Sequence, residues 1–185
     1  MKKGISTLKL TTMGILAGLS VALVFLIRFP IIPAAPFLEY DPADVPILIA
    51  TFIYGPAAGL IVTIIASVIQ GLTVSAGSGA YGIIMHIIST GTFVLTAGLT
   101  YRAKRGRLGA GIGLVLGVLV SAAVMIPANL IVTPLFMDAS REFVASMLLP
   151  AIIPFNLAKS GINGAVTFLL YIPVSMFIKG HNVKG

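Results

Sequence analysis

The sequence is dominated by apolar runs that are long enough to cross a lipid bilayer as helices. About 20 consecutive apolar residues span the hydrocarbon core of a membrane. Only 9% of the residues are charged, whereas a typical soluble domain has about 25%. The sequence therefore predicts an all-α integral membrane protein, with one domain over residues 1–185 built as a bundle of six transmembrane helices. The predicted helices cover residues 10–28, 43–54, 57–73, 80–101, 108–131 and 148–178.

The second and third predicted helices come from one apolar stretch, Val45 to Leu72, which Gly55 and Pro56 interrupt. This stretch is long for one span and short for two, and the charges favour two. With six spans, the basic residues of the termini and of the loop after the fourth span share one side, and all five acids lie on the other. Because basic loops stay in the cytoplasm, both termini are predicted to be cytoplasmic. The basic residues are Lys2, Lys3, Lys9, Arg102, Lys104, Arg105, Arg107, Lys179 and Lys184, and the acids are Glu39, Asp41, Asp44, Asp138 and Glu142.

The segment between the first two spans, residues 29–46, is unusually apolar for an external loop. It contains five prolines, which fix φ and remove backbone donors. Phe37, Leu38 and Tyr40 would gain little from facing water. This Pro-rich external loop is predicted to form a lid or wall over a ligand site, and the alternative is an ordinary connector.

Lys159 is the only charged residue in the middle of the last apolar segment. A lysine at mid-membrane depth costs about 2.5–3.5 kcal/mol on insertion scales, so it must face a partner, a cavity or a ligand. Asn156, Lys159 and Asn163 are spaced at i, i+3 and i+7, which puts all three on one helical face. That polar face is predicted to bind a ligand.

Three other polar residues in the spans leave a binding role and a structural role open. Asn129 follows Pro127 near the external end of the fifth span, where it could bond a ligand or cap a kinked helix. His86 has no carboxylate or second histidine near it in the sequence, so it is weak evidence for a metal or a general base. We interpret His86 and Gln70 as hydrogen-bonded structural groups or secondary pocket residues. No catalytic residue, metal ligand or cofactor is predicted.

Small residues recur at helical spacing in three of the predicted helices. Such stripes mark faces where helices approach closely in lipid. The stripe Gly14, Gly18 and Ala22 on the first helix could serve internal packing or a partner protein. The stripes of the third and fifth helices are predicted to pack inside the bundle, and they comprise Gly55, Gly59, Gly109, Gly113 and Gly117.

Several functional classes are disfavoured by what the sequence lacks. It has no G-x-x-x-x-G-K-[ST] loop, so the chain does not itself hydrolyse ATP. No acid is expected inside a span, which argues against a proton relay. A membrane-embedded enzyme would need a nucleophile–base pair or a metal cluster, and a channel or structural assembly protein would not need a buried Lys–Asn face. The positions of the basic residues argue against nucleic acid as a partner.

The whole pattern, over roughly residues 10–178, resembles the S components of energy-coupling factor (ECF) vitamin transporters, and within that family the riboflavin-specific members. The resemblance is carried by F-P-I-I-P-A-A-P-F-L-E-Y-D-P-A-D-V-P (29–46), F-I-Y-G-P-A-A-G (52–59) and I-P-F-N-L-A-K (153–159). It implies a multi-pass subunit of a prokaryotic plasma membrane that captures riboflavin as its transported ligand. It also implies as partners a transmembrane coupling subunit and two ATP-binding-cassette ATPases.

The resemblance assigns roles to residues of this chain. Asn129, Asn156 and Lys159 would make the polar contacts to the vitamin, and residues 36–40 would contribute walls and backbone contacts. The small residues on the first helix, Gly14, Gly18 and Ala22, would contact the coupling subunit.

The chain departs from the riboflavin pattern at two positions. Riboflavin members carry a K-N pair in the third span and an A-N-F-like run in the fourth, where this chain has Ile69-Gln70 and Met85-His86. Another vitamin, such as thiamine, folate, biotin or a related heterocycle, is therefore the nearest alternative ligand. No second Arg or Lys is expected near Lys159, which argues against a phosphorylated flavin.

Overall fold

The structure, a computed structural model, describes the backbone of residues 6–181 and the side chains of residues 6–171 and 173. Helices form most of it, and a two-stranded antiparallel hairpin pairs β1 (Phe29–Pro30) with β2 (Glu39–Tyr40). A 3₁₀ turn (Ala76–Ser78) precedes the fourth helix, and a π-helical turn (Leu148–Ile152) precedes the last one. The helices are α1 (Thr7–Leu26), α2 (Asp44–Tyr54), α3 (Pro56–Leu72), α4 (Gly79–Ala103), α5 (Arg107–Met137), α6 (Arg141–Ser146) and α7 (Ile153–His181).

The helices differ from the predicted spans mainly at the ends of α5 and α7. α5 continues to Met137 although it contains Pro127 and Pro134, and it ends where Asp138 adopts a left-handed conformation with φ of 50°. The last predicted span begins with the π-helical turn, so regular α-helix starts only at Ile153. The short helix α6, which lies between α5 and the π-helical turn, was not predicted.

Among the described residues, three helical segments are long and apolar enough to cross a membrane, judged by length and composition. They are Thr7–Leu26, Ala76–Ala103 and Arg107–Met137. Helices α2 and α3 are apolar but shorter. A single residue, Gly55, joins them with a φ of 94°, a conformation that glycine adopts readily and other residues do not. Pro56 then occupies the first turn of α3, where its missing N–H is not needed.

The glycine stripes of α3 and α5 contact neighbouring helices closely. A Cβ at Gly113 would lie 2.8 Å from the carbonyl oxygen of Ala97, and one at Gly117 would lie 2.4 Å from the ring of Phe93, both on α4. A Cβ at Gly59 would lie 2.0 Å from the hydroxyl of Thr51 on α2. These glycines let α5 pack along α4 and α3 along α2. Gly55 and Gly109 differ from the prediction: Gly55 forms a turn, and Gly109 packs against the backbone of Lys104 in the preceding loop.

The two ends of the bundle carry opposite charge in the part of the chain that the structure describes. The hairpin, the start of α4, the end of α5 and the start of α7 form one end, which we call the hairpin end. The other end, the basic end, contains the start of α1, the α2–α3 turn and the α4–α5 loop. The prediction that concerns Lys2, Lys3 and Lys184 lies outside the described residues, and the side chain of Lys179 is not described.

The hairpin loop, residues 27–43, packs onto the bundle through apolar side chains. Ala35 and Leu38 are buried in one cluster with Val144, Ile152 and Phe155 of the α6–α7 region. Phe37 packs against the same cluster. The contacts hold the loop across the hairpin end, where it borders a cavity between the helices.

Candidate ligand-binding site

A cavity at the hairpin end lies between the hairpin loop and helices α3, α4, α5 and α7. Its walls combine aromatic and aliphatic side chains with polar groups from all of these elements. The apolar side chains are Phe37, Leu38, Met85, Met125, Val132, Phe136 and Phe155. The polar and charged ones include Arg28, Glu39, Ser67, Gln70, Tyr81, His86, Asn129, Thr133, Asn156 and Lys159. An apolar slot with a few converging polar groups is the usual make-up of a small-molecule site.

Two asparagines present amide groups to this cavity from α5 and α7. Asn129 donates from Nδ2 to the carbonyl of Met125 (2.7 Å), and its Oδ1 accepts from the hydroxyl of Thr133 (2.9 Å). Asn156 donates from Nδ2 to the carbonyl of Ile152 (2.8 Å). These bonds fix both side chains within their own helices. The Oδ1 of Asn156 has no partner among the described residues, so it remains available as an acceptor.

Lys159 lines the cavity and is paired with an acid that the sequence analysis did not associate with it. Its Nζ donates to Oδ2 of Asp41 in the hairpin loop at 2.7 Å. The two side chains are 15% and 12% exposed, so the ion pair is largely shielded from water. An ammonium group has three donors, and the described structure uses one of them. Lys159 therefore ties the loop to α7 and can still donate toward a ligand.

Behind the cavity lies a buried polar cluster that joins the loop to three helices. Asn163 donates from Nδ2 to Oδ2 of Asp44 (2.9 Å) and to the backbone carbonyl of Asp41 (3.0 Å). Thr90 of α4 donates to Oδ1 of Asp44 at 2.6 Å. The hydroxyl of Tyr40 donates to Oδ1 of Asn163 at 3.1 Å. Burial, reinforced by the negative charges of Asp41 and Asp44, raises the pKa of Tyr40, which keeps this hydroxyl a donor.

The position of Asp44 corrects the expectation that no acid lies in the helical region. Asp44 is the first residue of α2 and is 3% exposed, and Asn163 and Thr90 contact its two oxygens. A buried carboxylate is tolerated only with charged or hydrogen-bonding partners. Asp44 at the start of α2 and Asp41 in the loop therefore place negative charge beside the polar face of α7 that carries Lys159.

The same residue corrects the interpretation of His86 as a histidine without a carboxylate. Nε2 of His86 lies 3.6 Å from Oδ1 of Asp44, and its Nδ1 is 2.7 Å from the hydroxyl of Ser67. The Ser67 hydroxyl also bonds to the carbonyl of Thr63 at 2.6 Å. Nε2 is buried and has no hydrogen bond among the described residues. His86 thus lines the cavity and links α3 to the buried cluster.

Gln70 and Arg28 complete the polar part of the cavity wall. Gln70 donates to the hydroxyl of Ser20 at 3.4 Å, which in turn donates to the carbonyl of Ala43 at 2.9 Å. Arg28 is a second cation on the cavity lining, so the expectation that none lies near Lys159 is wrong. Its guanidinium is bonded to Glu39 and to the carbonyl of Val74. These bonds connect the hairpin to the segment between α3 and α4.

The structure brings most of the predicted binding residues to one cavity and leaves two behind it. Tyr40 and Asn163 do not line the cavity and instead belong to the buried cluster. The ones that line the cavity are Phe37, Leu38, Gln70, His86, Asn129, Asn156 and Lys159. The predicted partner stripe on α1 lies elsewhere: Gly14, Gly18 and Ala22 are exposed, and a Cβ at either glycine would meet nothing within 4 Å.

Asp41 and Asp44 are two residues of this region that were not among the predicted binding residues. One signal was available, since two acids three residues apart stand immediately before an apolar helix. Asp41 accepts from the N–H of Ala43 at 3.0 Å, which is the kind of local bond that Asp makes at the start of a helix. Their approach to Lys159 and Asn163 spans more than a hundred residues of sequence, and no local pattern encodes that pairing.

Comparison with known proteins identifies relatives over nearly the whole chain. The family model for the ECF transporter, substrate-specific component, matches residues 8–171. The riboflavin transporter RibU of Staphylococcus aureus is 32% identical, with 92% of each chain covered. The riboflavin transporter RibU of Streptococcus thermophilus is 30% identical over 94% of this chain and 85% of that protein. A solved structure described as the S component of a bacterial ECF transporter is similar with a TM-score of 0.79 at 31% identity, covering 92% of this chain and 97% of that one.

Proposed function

This chain is a membrane protein of the ECF transporter substrate-specific component family, and from that premise we propose that it binds riboflavin for import. The relatives named as riboflavin transporters support this ligand. The observation that carries the proposal is the convergence of Asn129, Asn156 and Lys159 on a cavity with aromatic and aliphatic walls. The chain acts by binding, and its transport function requires other subunits.

The hydrogen-bonding groups left free in the cavity suit a flavin. A flavin has an apolar tricyclic ring whose pyrimidine edge carries two carbonyl oxygens and an N–H between them. The free Oδ1 of Asn156 can accept from that N–H, and Lys159 can donate to a neighbouring oxygen. Phe37, Phe155 and the methionines of the wall suit the ring itself. The ribityl hydroxyls can be met by the remaining polar side chains.

Arg28 bears on whether the ligand is phosphorylated. Its guanidinium is already engaged by the carboxylate of Glu39 and the carbonyl of Val74. A phosphate would have to compete with Glu39 for Arg28, and it would lie near a carboxylate that repels it. We therefore favour riboflavin over its phosphate ester as the ligand.

The orientation and partners of the subunit also belong to this proposal. Six spans with both termini in the cytoplasm would put the hairpin end and its cavity outside, facing incoming vitamin, since the basic loops lie at the opposite end. The Pro-rich loop would then be an external lid. A transmembrane coupling subunit and two ATPases would supply the energy, and the exposed stripe Gly14, Gly18 and Ala22 on α1 is the face we propose for the coupling subunit.

Replacing Asn156 with leucine is expected to weaken riboflavin binding by about 1–3 kcal/mol, because the N–H of the ligand loses its acceptor. The measurement is a titration of purified protein by quenching of flavin fluorescence. Thr100→Val is the matched control, since the Thr100 hydroxyl bonds only to the carbonyl of Thr96 on its own helix and does not line the cavity. Equal affinities of wild type and Asn156→Leu would contradict the assignment of Asn156.

A further inference from the structure

A second cavity lies at the basic end of the bundle, remote from the proposed vitamin site. It is formed by the α2–α3 turn and by the last turns of α4. The nearest lining residues of the two cavities are nine positions apart on α4 (Ser89 and Gly98) and ten apart on α3 (Ala57 and Ser67). Its lining residues are 51–57, Gly98, Tyr101, Arg102 and Arg105.

The cations at this cavity lack partners of opposite charge. The side chains of Arg102, Arg105 and Lys9 have no hydrogen bond or ion pair with any residue that the structure describes. The Arg105 guanidinium lies 5.7 Å from the ring centre of Tyr101, and the Lys9 ammonium lies 5.8 Å from that of Tyr54. The ring contacts hold the cations beside the cavity without neutralising them. All five acids of the chain lie toward the hairpin end.

The uncharged groups of the same cavity also favour an anion. Tyr54 contributes to the lining, and its hydroxyl is buried with no hydrogen-bond partner among the described residues. The cavity also includes Gly55, Pro56 and Ala57, where α3 begins. In the first turn of α3, Pro56 has no N–H and the N–H of Ala58 bonds to the carbonyl of Gly55, which leaves the N–H of Ala57 and the positive end of the helix dipole at this point. Two guanidinium groups, a free hydroxyl and a helix start therefore converge on one space.

We propose that this cavity is a binding site for a phosphate group. Arginine forks match phosphate oxygens with paired hydrogen bonds, and a phosphate would also accept from the Tyr54 hydroxyl. In a membrane protein the phosphate can belong to an anionic lipid headgroup or be a free ion. Basic pockets between helices on the cytoplasmic side of a membrane are a common form of lipid-headgroup site. This proposal does not depend on which ligand the first cavity binds.

The test compares two double variants of the full-length protein in neutral detergent. Arg102→Gln/Arg105→Gln removes the two cations of the cavity. Lys104→Gln/Arg107→Gln removes the same charge from the same loop region without touching the cavity lining. Native mass spectrometry measures binding of phosphatidylglycerol against phosphatidylcholine, and circular dichroism checks that each variant is folded. A second arm adds sodium phosphate, with sodium chloride at equal ionic strength as its control.

We expect wild type to prefer phosphatidylglycerol. Arg102→Gln/Arg105→Gln should weaken that binding by about 10-fold or more, and Lys104→Gln/Arg107→Gln by about 3-fold or less. If free phosphate competes with phosphatidylglycerol, the phosphate ion alone is sufficient for binding. If it does not compete, the ligand is the lipid headgroup.

Tyr54→Phe provides a milder variant that keeps all the charges. It should weaken phosphatidylglycerol binding by about 3-fold or more, because only the hydroxyl is lost. Equal losses in the two double variants would show that the effect is general surface charge and would overturn the proposal. Failure of wild type to bind either phosphatidylglycerol or phosphate would overturn it as well.

Discussion

Replacing Lys159 with methionine is expected to lower the free energy of unfolding by about 2–4 kcal/mol and to weaken riboflavin binding by about 1.5–3 kcal/mol. The loss of stability arises because Asp41 would remain in a largely buried place without its partner. This loss of stability is expected to be smaller than that for breaking a fully buried ion pair, because the side chains of Lys159 and Asp41 are 15% and 12% exposed. Thermal unfolding in detergent and flavin fluorescence quenching measure the two effects.

A second variant separates the structural role of Lys159 from its binding role. Lys159→Met/Asp41→Asn removes both charges, so most of the lost stability should return. Riboflavin affinity should stay low, since the donor to the ligand is still missing. If the double variant recovers affinity together with stability, Lys159 only positions the loop and does not contact the vitamin. Lys104→Met, on the exposed α4–α5 loop, is the control for loss of a lysine charge.

Replacing Gly18 with leucine is expected to abolish vitamin uptake while leaving riboflavin affinity within about 2-fold of wild type, since Gly18 is exposed and does not line the cavity. A Cβ at Gly18 meets nothing within 4 Å, so the bundle itself tolerates the leucine. A partner helix packed on the small-residue stripe would be pushed away, because such faces depend on close backbone approach. Uptake by cells and co-purification with the coupling subunit are the measurements.

Ala123→Leu is the matched control for this variant. Ala123 is an exposed small residue on α5, so the same kind of enlargement is made on a different outer face of the bundle. It should leave both uptake and complex formation intact. Normal co-purification of the Gly18→Leu protein with the coupling subunit would refute α1 as the interface.

The sequence was most informative where a polar residue interrupts an apolar helix. Asn129, Asn156 and Lys159 could be singled out because burial in lipid is costly for each of them, and all three line the cavity. Gly55 and Pro56 marked the α2–α3 turn because their backbone requirements are local. Signals of this kind depend only on neighbouring residues, so they can be read from one sequence.

The contacts of the hairpin loop could not be predicted in the same way. Asp41 and Asp44 were predicted only to lie on the external side, whereas the structure pairs them with Lys159, Asn163 and Thr90. Their pairing depends on how the loop folds back over the bundle. The helical face at 156, 159 and 163 was correctly grouped by its spacing. The hairpin loop decides which of these three residues face the cavity, because it covers Asn163.

The extra length of α5 was also not predicted. The fifth span was predicted to end at residue 131, and proline removes a backbone hydrogen bond within a helix. The helix continues through Pro127 and Pro134 to Met137. Between the two prolines, the side chain of Asn129 bonds to the carbonyl of Met125 and accepts from Thr133 one turn later. These bonds within α5 also orient Asn129 in the cavity wall.

The most direct test of the proposed function is a ligand titration of the purified full-length protein. Riboflavin fluorescence would be followed as protein is added, with thiamine, biotin, folate and riboflavin phosphate as unlabelled competitors. We expect saturable quenching with one riboflavin per chain, little competition by the other three vitamins, and weaker competition by the phosphate ester than by riboflavin itself. Absence of saturable quenching, or displacement of riboflavin by another vitamin at lower concentration, would contradict the assignment.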